Sequence, residues 1–228
     1  MLERVSGGNN LGAPSLTSVM VGRVACSGVL ALFLSCRAAA GEATVEASPV
    51  PEGKAVATFA GGCFWCMEPP FDRLLGVEAT LVGYTGGSEA HPSYRDVAYG
   101  RTGHRESIRV VYDPDTVGYN ELLDVFWMNV DPTDDGGQFV DRGAQYAPAI
   151  FVHDEAQRKA ANASKMALEA SGRFSEPVVV PVLAAQTFWI AEDYHQDFYR
   201  KEPRHYKRYR YGSGRDQFIQ RHWHPEEK

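Results

Sequence analysis

Cysteine is scarce in this chain, with four among 228 residues, and its placement is lopsided. Cys26 and Cys36 lie in the first 53 residues, which leaves Cys63 and Cys66 alone in the rest. One short pair cannot build a disulfide framework, so these two are reactive, metal-binding or incidental. Surplus positive charge is also missing: 23 Lys and Arg against 29 Asp and Glu give a formal net charge of -6. Phosphate backbones and anionic membranes are held by excess Lys and Arg, so a general nucleic-acid or membrane-surface binder is excluded. There is no internal repeat, and the apolar run at residues 24–34 is too short to cross a bilayer as a permanent helix.

That run follows Arg23 and precedes the small residues Ala38, Ala39, Ala40 and Gly41, the pattern of a secretory leader removed after about Ala40. Cys36, behind Phe33, Leu34 and Ser35, offers a second route as a lipid-attachment cysteine of a membrane-anchored lipoprotein. A third reading keeps the chain cytoplasmic, with Met20 as the true start. Residues 41–53 are rich in Ser, Pro, Gly and Glu and read as a disordered linker. The expected division is therefore 1–53, signal or leader peptide and linker, and 54–228, one domain large enough to bury its own core.

Within that domain, residues 54–60 (KAVATFA) form a β-type run ending at Gly61-Gly62, with the cysteines directly beyond. A short helical turn carrying CFWC should follow, with a kink or restart at Pro69-Pro70. Further strands are predicted at 77–84, 106–112, 147–153 and 178–184. Helices are predicted at 120–130, where Leu122, Leu123, Phe126, Trp127 and Val130 recur at helical spacing, from a cap at Asp154 to Gly172, and at 192–201. The basic, aromatic tail from Arg200 to Arg215 reads as coil packed over the domain. Strands and helices do not alternate strictly, which implies an α+β two-layer sandwich with helices on a mixed β-sheet.

Three chemistries use a Cys-x-x-Cys at a strand-to-helix junction. Zinc needs two more ligands, and His222 and His224 stand closer together than the usual spacing. A thioredoxin-type dithiol accounts for the cysteines, since a helix start lowers a thiol pKa from about 8.5, but leaves the intervening aromatics idle. The third is a nucleophilic cysteine whose oxidised product is captured by its neighbour, with Phe64 and Trp65 forming an apolar pocket for a small substrate group. Only this reading uses all four residues. Elsewhere, strand alternation puts Glu106 on the face of Ile108, Val110 and Tyr112, opposite Arg105, Ser107 and Arg109. A carboxyl facing apolar neighbours has a raised pKa and can donate a proton near neutrality. A strand-end glutamate turned to solvent is the alternative.

GGCFWCMEPPF, GYTGG, TGHRE, DPTDDGGQFVDRGAQY, YHQDFY and HYKRYRYGSGR occur in that order between residues 55 and 223. Together they resemble the A-type peptide methionine sulfoxide reductases. The resemblance implies reduction of methionine (S)-S-oxide, free or in proteins, with no metal and no organic cofactor, by a monomer re-reduced by thioredoxin or another dithiol. It implies that Cys63 is the nucleophile and that Phe64 and Trp65 wall the pocket for the substrate methyl. It places Tyr84, Asp141 and Tyr146 around the sulfoxide oxygen and makes Glu106 the acid that protonates it. Many members carry Gly at the position of Cys66 and place the resolving cysteine near the C-terminus; here nothing after Cys66 is a cysteine, so Cys66 is the resolver. Competing readings are a thiol-disulfide oxidoreductase acting on protein disulfides and a non-enzymatic redox-sensing or methionine-binding module. Exported, the enzyme would be periplasmic or membrane-anchored.

Overall fold

The computed structural model describes residues 44–224. The leader, Cys26 and Cys36 lie outside the described residues.

Nine strands carry the framework: β1 (Val45–Glu46), β2 (Ala55–Ala60), β3 (Val77–Thr85), β4 (Arg105–Tyr112), β5 (Gly137–Gln138), β6 (Asp141–Arg142), β7 (Ala149–Val152), β8 (Val182–Ala184) and β9 (Trp189–Ile190). Seven form one sheet in the order β1-β9-β3-β4-β2-β7-β8, and β5 and β6 pair separately. Every pairing in the large sheet is antiparallel except β7 with β8, so the sheet is mixed. The helices are α1 (Phe64–Asp72), α2 (Tyr94–Ala98), α3 (Tyr119–Met128), α4 (Glu155–Ala170), α5 (Phe198–Lys201), α6 (Pro203–Ser213) and α7 (Arg215–Trp223).

Alternation along the central strands decides what each face carries. Phe59 stands opposite both Ile108 and Ile150, and all three are fully buried with Ala57, Val110 and Val152. Phe71 of α1 stacks on Phe59 at 5.2 Å, and Phe126 of α3 does so at the same distance. Removing a ring packed in this way costs about 3–5 kcal/mol. The remaining positions point to the other face, where Thr58 meets His153 at 2.9 Å and Ala60, Ala149 and Phe151 form a small satellite cluster. The expected two-layer α+β arrangement is the one observed.

Four local readings need correction. Helix α1 runs unbroken through Pro69 and Pro70. The two prolines withhold N–H groups from the carbonyls of Trp65 and Cys66, one turn back, but the Cys66 carbonyl accepts from Arg210 Nη1 at 2.9 Å instead. The segment expected to be linker is pinned from Thr44 to Ser48. Its Thr44 hydroxyl donates to the Pro92 carbonyl, Ala47 N donates to Phe188 O, and Arg109 donates to Ser48 O, so β1 adds an edge strand on β9. Ahead of α5, the expected helix at 192–201 is interrupted at Asp197, whose φ of 53° leaves the helical region. The tail is helical rather than coil: Pro203 occupies the first turn of α6, and Gly214, with φ of 84°, turns the chain into α7.

Candidate active site

The dithiol sits where β2 ends and α1 begins. Gly62 has φ of 80°, and a Cβ there would come within 2.6 Å of the Gln138 side chain, so only glycine allows this close turn. Cys63 is the N-cap of α1, and Cys66 lies one turn on, its N–H donating to the Cys63 carbonyl at 3.0 Å. Both are free thiols and both are buried, Cys63 at 7% exposure and Cys66 at 1%. Burial pushes the Cys63 thiol well up. A hydrogen bond from Cys63 brings Cys66 down to about 7 against the cost of burial, with the Arg215 and Arg210 guanidiniums adding to the effect. The hydrogen bond and the two guanidiniums favour negative charge on Cys66 over Cys63.

Glu106 approaches from β4. It is 2% exposed on the face of Ile108, Val110 and Tyr112, as alternation required. Its Oε2 accepts the Phe64 N–H at 3.1 Å, one of the helix-start donors. Burial outweighs that bond and pushes the carboxyl up to about 8, with Asp141 and Cys66 adding repulsion. A carboxylic acid still protonated at neutral pH thus stands next to the thiols.

Four further polar groups share this space. Tyr146, on a 3-10 turn after Gly143, and Tyr94, the first residue of α2, both lie in the fields of Glu106 and Cys63; burial raises both phenols, so they remain hydrogen-bond donors. Asp141 of β6 is raised by burial and accepts from Tyr209 of α6 at 2.5 Å. Tyr209 also lies in the field of Cys63.

Phe64 and Trp65 form the apolar wall. Trp65 stacks on Phe198 at 3.7 Å, and Tyr209 meets it edge-on at 5.8 Å. Its indole N–H donates to His195 Nδ1 at 3.0 Å, which fixes that imidazole as an acceptor and therefore neutral; burial also lowers its pKa to about 4. The His195 ring packs on Phe64 at 4.9 Å and on Tyr94 at 4.4 Å.

Cys63, Cys66, Glu106, Phe64, Trp65, Asp141 and Tyr146 are thus brought together. Tyr84 is placed differently. It stands opposite Glu106 across the β3–β4 pair, but its hydroxyl donates to Glu192 Oε2 at 2.8 Å and its ring backs Phe64 at 6.0 Å. Tyr84 was expected at the sulfoxide oxygen, and its hydroxyl is committed elsewhere because Glu192, nearly buried, needs donors. The tyrosine of this region whose phenol lies in the fields of Glu106 and Cys63 is Tyr94. The other Glu192 oxygen accepts the Tyr94 N–H at 2.8 Å, and the Ser93 side chain caps α2 by accepting from Asp96 N. The signal for Tyr94 was the Ser-x-x-Asp start at 93–96, a helix cap that would have put the tyrosine on a defined turn. Glu192 and Tyr209 carried no sequence signal of comparable strength.

A family model described as peptide methionine sulfoxide reductase matches residues 55–227. The peptide methionine sulfoxide reductase MsrA of Bacillus subtilis (strain 168) is 52% identical over 172 residues, 75% of this chain and 97% of its own length. MsrA of Listeria innocua is 53% identical over 167 residues, covering 73% and 94%. Among solved structures, reduced Mxr1 from Saccharomyces cerevisiae aligns with a TM-score of 0.64 at 28% identity over 70% of this chain and 91% of its own. Methionine sulfoxide reductase A of Corynebacterium diphtheriae aligns with a TM-score of 0.56 at 32% identity, covering 67% and 77%.

Proposed function

Because the chain belongs to the peptide methionine sulfoxide reductase family, of the A type, and reduces methionine sulfoxide at the expense of thiols, we propose that it does so through the following residues and steps. The observation that carries the assignment is a buried dithiol beside a carboxyl kept protonated to about pH 8. The S epimer of the sulfoxide, free or in proteins, places its methyl against Phe64 and Trp65 and its oxygen toward Glu106, Tyr94 and Tyr146. The Cys63 sulfur attacks the sulfoxide sulfur while Glu106 gives its proton to the oxygen; the hydroxyl then passes to Cys63 as the transient S–S bond and the sulfoxide S–O bond break, the thiol proton of Cys63 returns to Glu106, and methionine and a Cys63 sulfenic acid are left. Cys66 then attacks the sulfenic sulfur; the S–S bond forms, the S–O bond breaks, and the hydroxide departs as water with one proton. Atoms and electrons balance with two thiols and need no metal or organic cofactor. The Cys63-Cys66 disulfide is returned to the dithiol by thioredoxin or an equivalent external dithiol, and the enzyme works as a monomer.

The leader pattern at residues 20–41 supports export, with a mature chain beginning near Gly41 or at a lipidated Cys36. Mass spectrometry of the mature protein from membrane and soluble fractions tests this, and an intact cytoplasmic chain starting at Met1 or Met20 refutes it.

Single-turnover chemistry tests the roles of the two thiols. Cys63→Ser should form no methionine. Cys66→Ser should release about one methionine per enzyme and then stall with thioredoxin, its Cys63 reacting with a sulfenic-acid trap. Steady thioredoxin-dependent turnover by Cys66→Ser, or any sulfoxide reduction by Cys63→Ser, overturns the assignment. A general dithiol oxidoreductase would reduce no sulfoxide in any form.

A further inference from the structure

The C-terminal helical pair sends two arginines inward onto the turn that carries the cysteines. Arg215, at the start of α7, is 1% exposed. It donates to the carbonyls of Gly61 (2.9 Å) and Asn129 and to the Met67 sulfur (3.2 Å), its guanidinium lies 4.7 Å over the Phe139 ring, and its Nε has no partner. Among the described residues no carboxylate pairs with it. Arg210 of α6 donates to the Cys66 carbonyl and to Asn129 Oδ1, with Asp216 on its outer side at 2.7 Å. Pro70 has no N–H to offer, so the Cys66 carbonyl lacks its usual helical donor.

A buried guanidinium without a counter-ion is strongly unfavourable, and guanidinium does not discharge in a protein. Asp141 on β6 lies in the field of Arg215 but makes no ion pair with it and already accepts from Tyr209; the nearer source of negative charge is the thiol pair that Arg215 spans, from Gly61 before it to Met67 after it. We propose that Arg215 and Arg210 form a guanidinium clasp that keeps the negative charge of the dithiol on Cys66, so that the resolving sulfur meets the Cys63 sulfenic acid as a thiolate. The proposal rests on the reading above, in which Cys66 resolves Cys63.

The groups facing Cys66 are Cys63 at the helix start, Glu106 on β4, Asp141 on β6, Tyr206 and Arg210 on α6, and Arg215 on α7. Asp141 opposes a charge on Cys66; the two arginines and the Cys63 hydrogen bond favour it. In the step itself, Cys66 thiolate and Cys63–S–OH take up one proton from solvent and give the disulfide and water. Arg210 and Arg215 are positioning residues: they touch neither substrate nor the reacting oxygen.

The test follows the Cys63 sulfenic acid by rapid quench with a cyclic dione trap and mass spectrometry, after mixing enzyme with methionine sulfoxide at pH 6.5 and pH 9.5. Arg210→Gln and Arg215→Met should lengthen the life of the sulfenic acid by roughly three- to tenfold at pH 6.5, the loss expected when the thiolate fraction falls by a pH unit and is partly offset by higher nucleophilicity. At pH 9.5, where Cys66 ionises unaided, the variants should converge on wild type, and Arg215→Lys should recover part of the effect at pH 6.5. Arg210→Gln, at the rim, carries the test if Arg215→Met does not fold. Equal slowing at both pH values means a packing role and overturns the clasp, as does wild-type decay at pH 6.5. Absence of methionine release from wild type overturns the underlying function instead, and the clasp with it.

Discussion

Two buried glutamates serve one pocket and are used in opposite ways. Glu192, on the turn after β9, accepts on both oxygens, from the Tyr84 hydroxyl and the Tyr94 N–H, each at 2.8 Å. Glu106, on β4, accepts a single backbone N–H at 3.1 Å, and burial lifts it to about 8. They meet at Tyr94, whose backbone is tied to Glu192 and whose phenol lies in the field of Glu106. The number of donors separates the two: a carboxyl with both oxygens engaged becomes an anchor, whereas one with a free oxygen in apolar surroundings keeps its proton and can give it away.

The largest effect that breaks this contrast is on the acid side. Glu106→Gln preserves shape and the Phe64 bond but has no proton to transfer. Methionine release in a single turnover should slow by roughly 10²-fold or more at pH 7. In wild type the same step requires the protonated carboxyl, so its rate should fall as pH rises through about 8. A rate for Glu106→Gln equal to wild type removes the residue from the mechanism.

The same substitution should stabilise the fold, with a defined pH window. An acid whose folded pKa is raised is protonated in both states below about 4.5 and costs nothing there. Between about 4.5 and 8 the unfolded chain ionises and the folded one does not, so wild-type stability declines with rising pH. Glu106→Gln removes that decline, at most about 5 kcal/mol for a shift of this size. Chemical denaturation should show the variant more stable at pH 8 and level with wild type at pH 4. A variant no more stable at pH 8 means that Glu106 is ionised in the folded enzyme.

Next in size is Tyr94→Phe, which leaves the Glu192 anchor intact because that contact is through the backbone. Only the phenol facing Glu106 is lost. Sulfoxide reduction should slow by roughly tenfold, the contribution of one hydrogen bond to a developing charge, with little change in thermal stability.

How far this contrast was legible beforehand differs between its two sides. Glu106 could be placed from the alternation of one strand, and Cys63 and Cys66 from their spacing at a strand end, because those signals are local. Tyr84 could not be told from Tyr94 in this way. Both are tyrosines near short polar turns, and what separates them is a carboxylate 98 to 108 positions away in sequence. The tail was misread for a related reason. Arg200 to Arg215 is so basic that it resembles a solvated coil, yet Arg210 and Arg215 turn inward onto carbonyls that Gly61, Cys66 and Asn129 leave open. Charge pattern alone does not reveal a buried acceptor.

Tyr84→Phe should have the smallest effect. It deletes one donor to Glu192 Oε2 and nothing that faces the thiols. Loss of a buried hydrogen bond of this kind costs about 1–2 kcal/mol. A second donor is nearby: His195 Nε2 is buried without a partner, 4.0 Å from the same oxygen. With the phenol gone, that N–H can close onto Glu192, so the Tyr94 anchor survives and the substrate KM should rise no more than a few-fold. The closer contact with a carboxylate should also raise the pKa of His195 from about 4, which an imidazole NMR titration can follow. If Tyr84→Phe instead slowed sulfoxide reduction as much as Tyr94→Phe, the Tyr84 hydroxyl would belong to the sulfoxide network after all. The division between anchoring and proton-donating glutamates would then fail at its narrowest point.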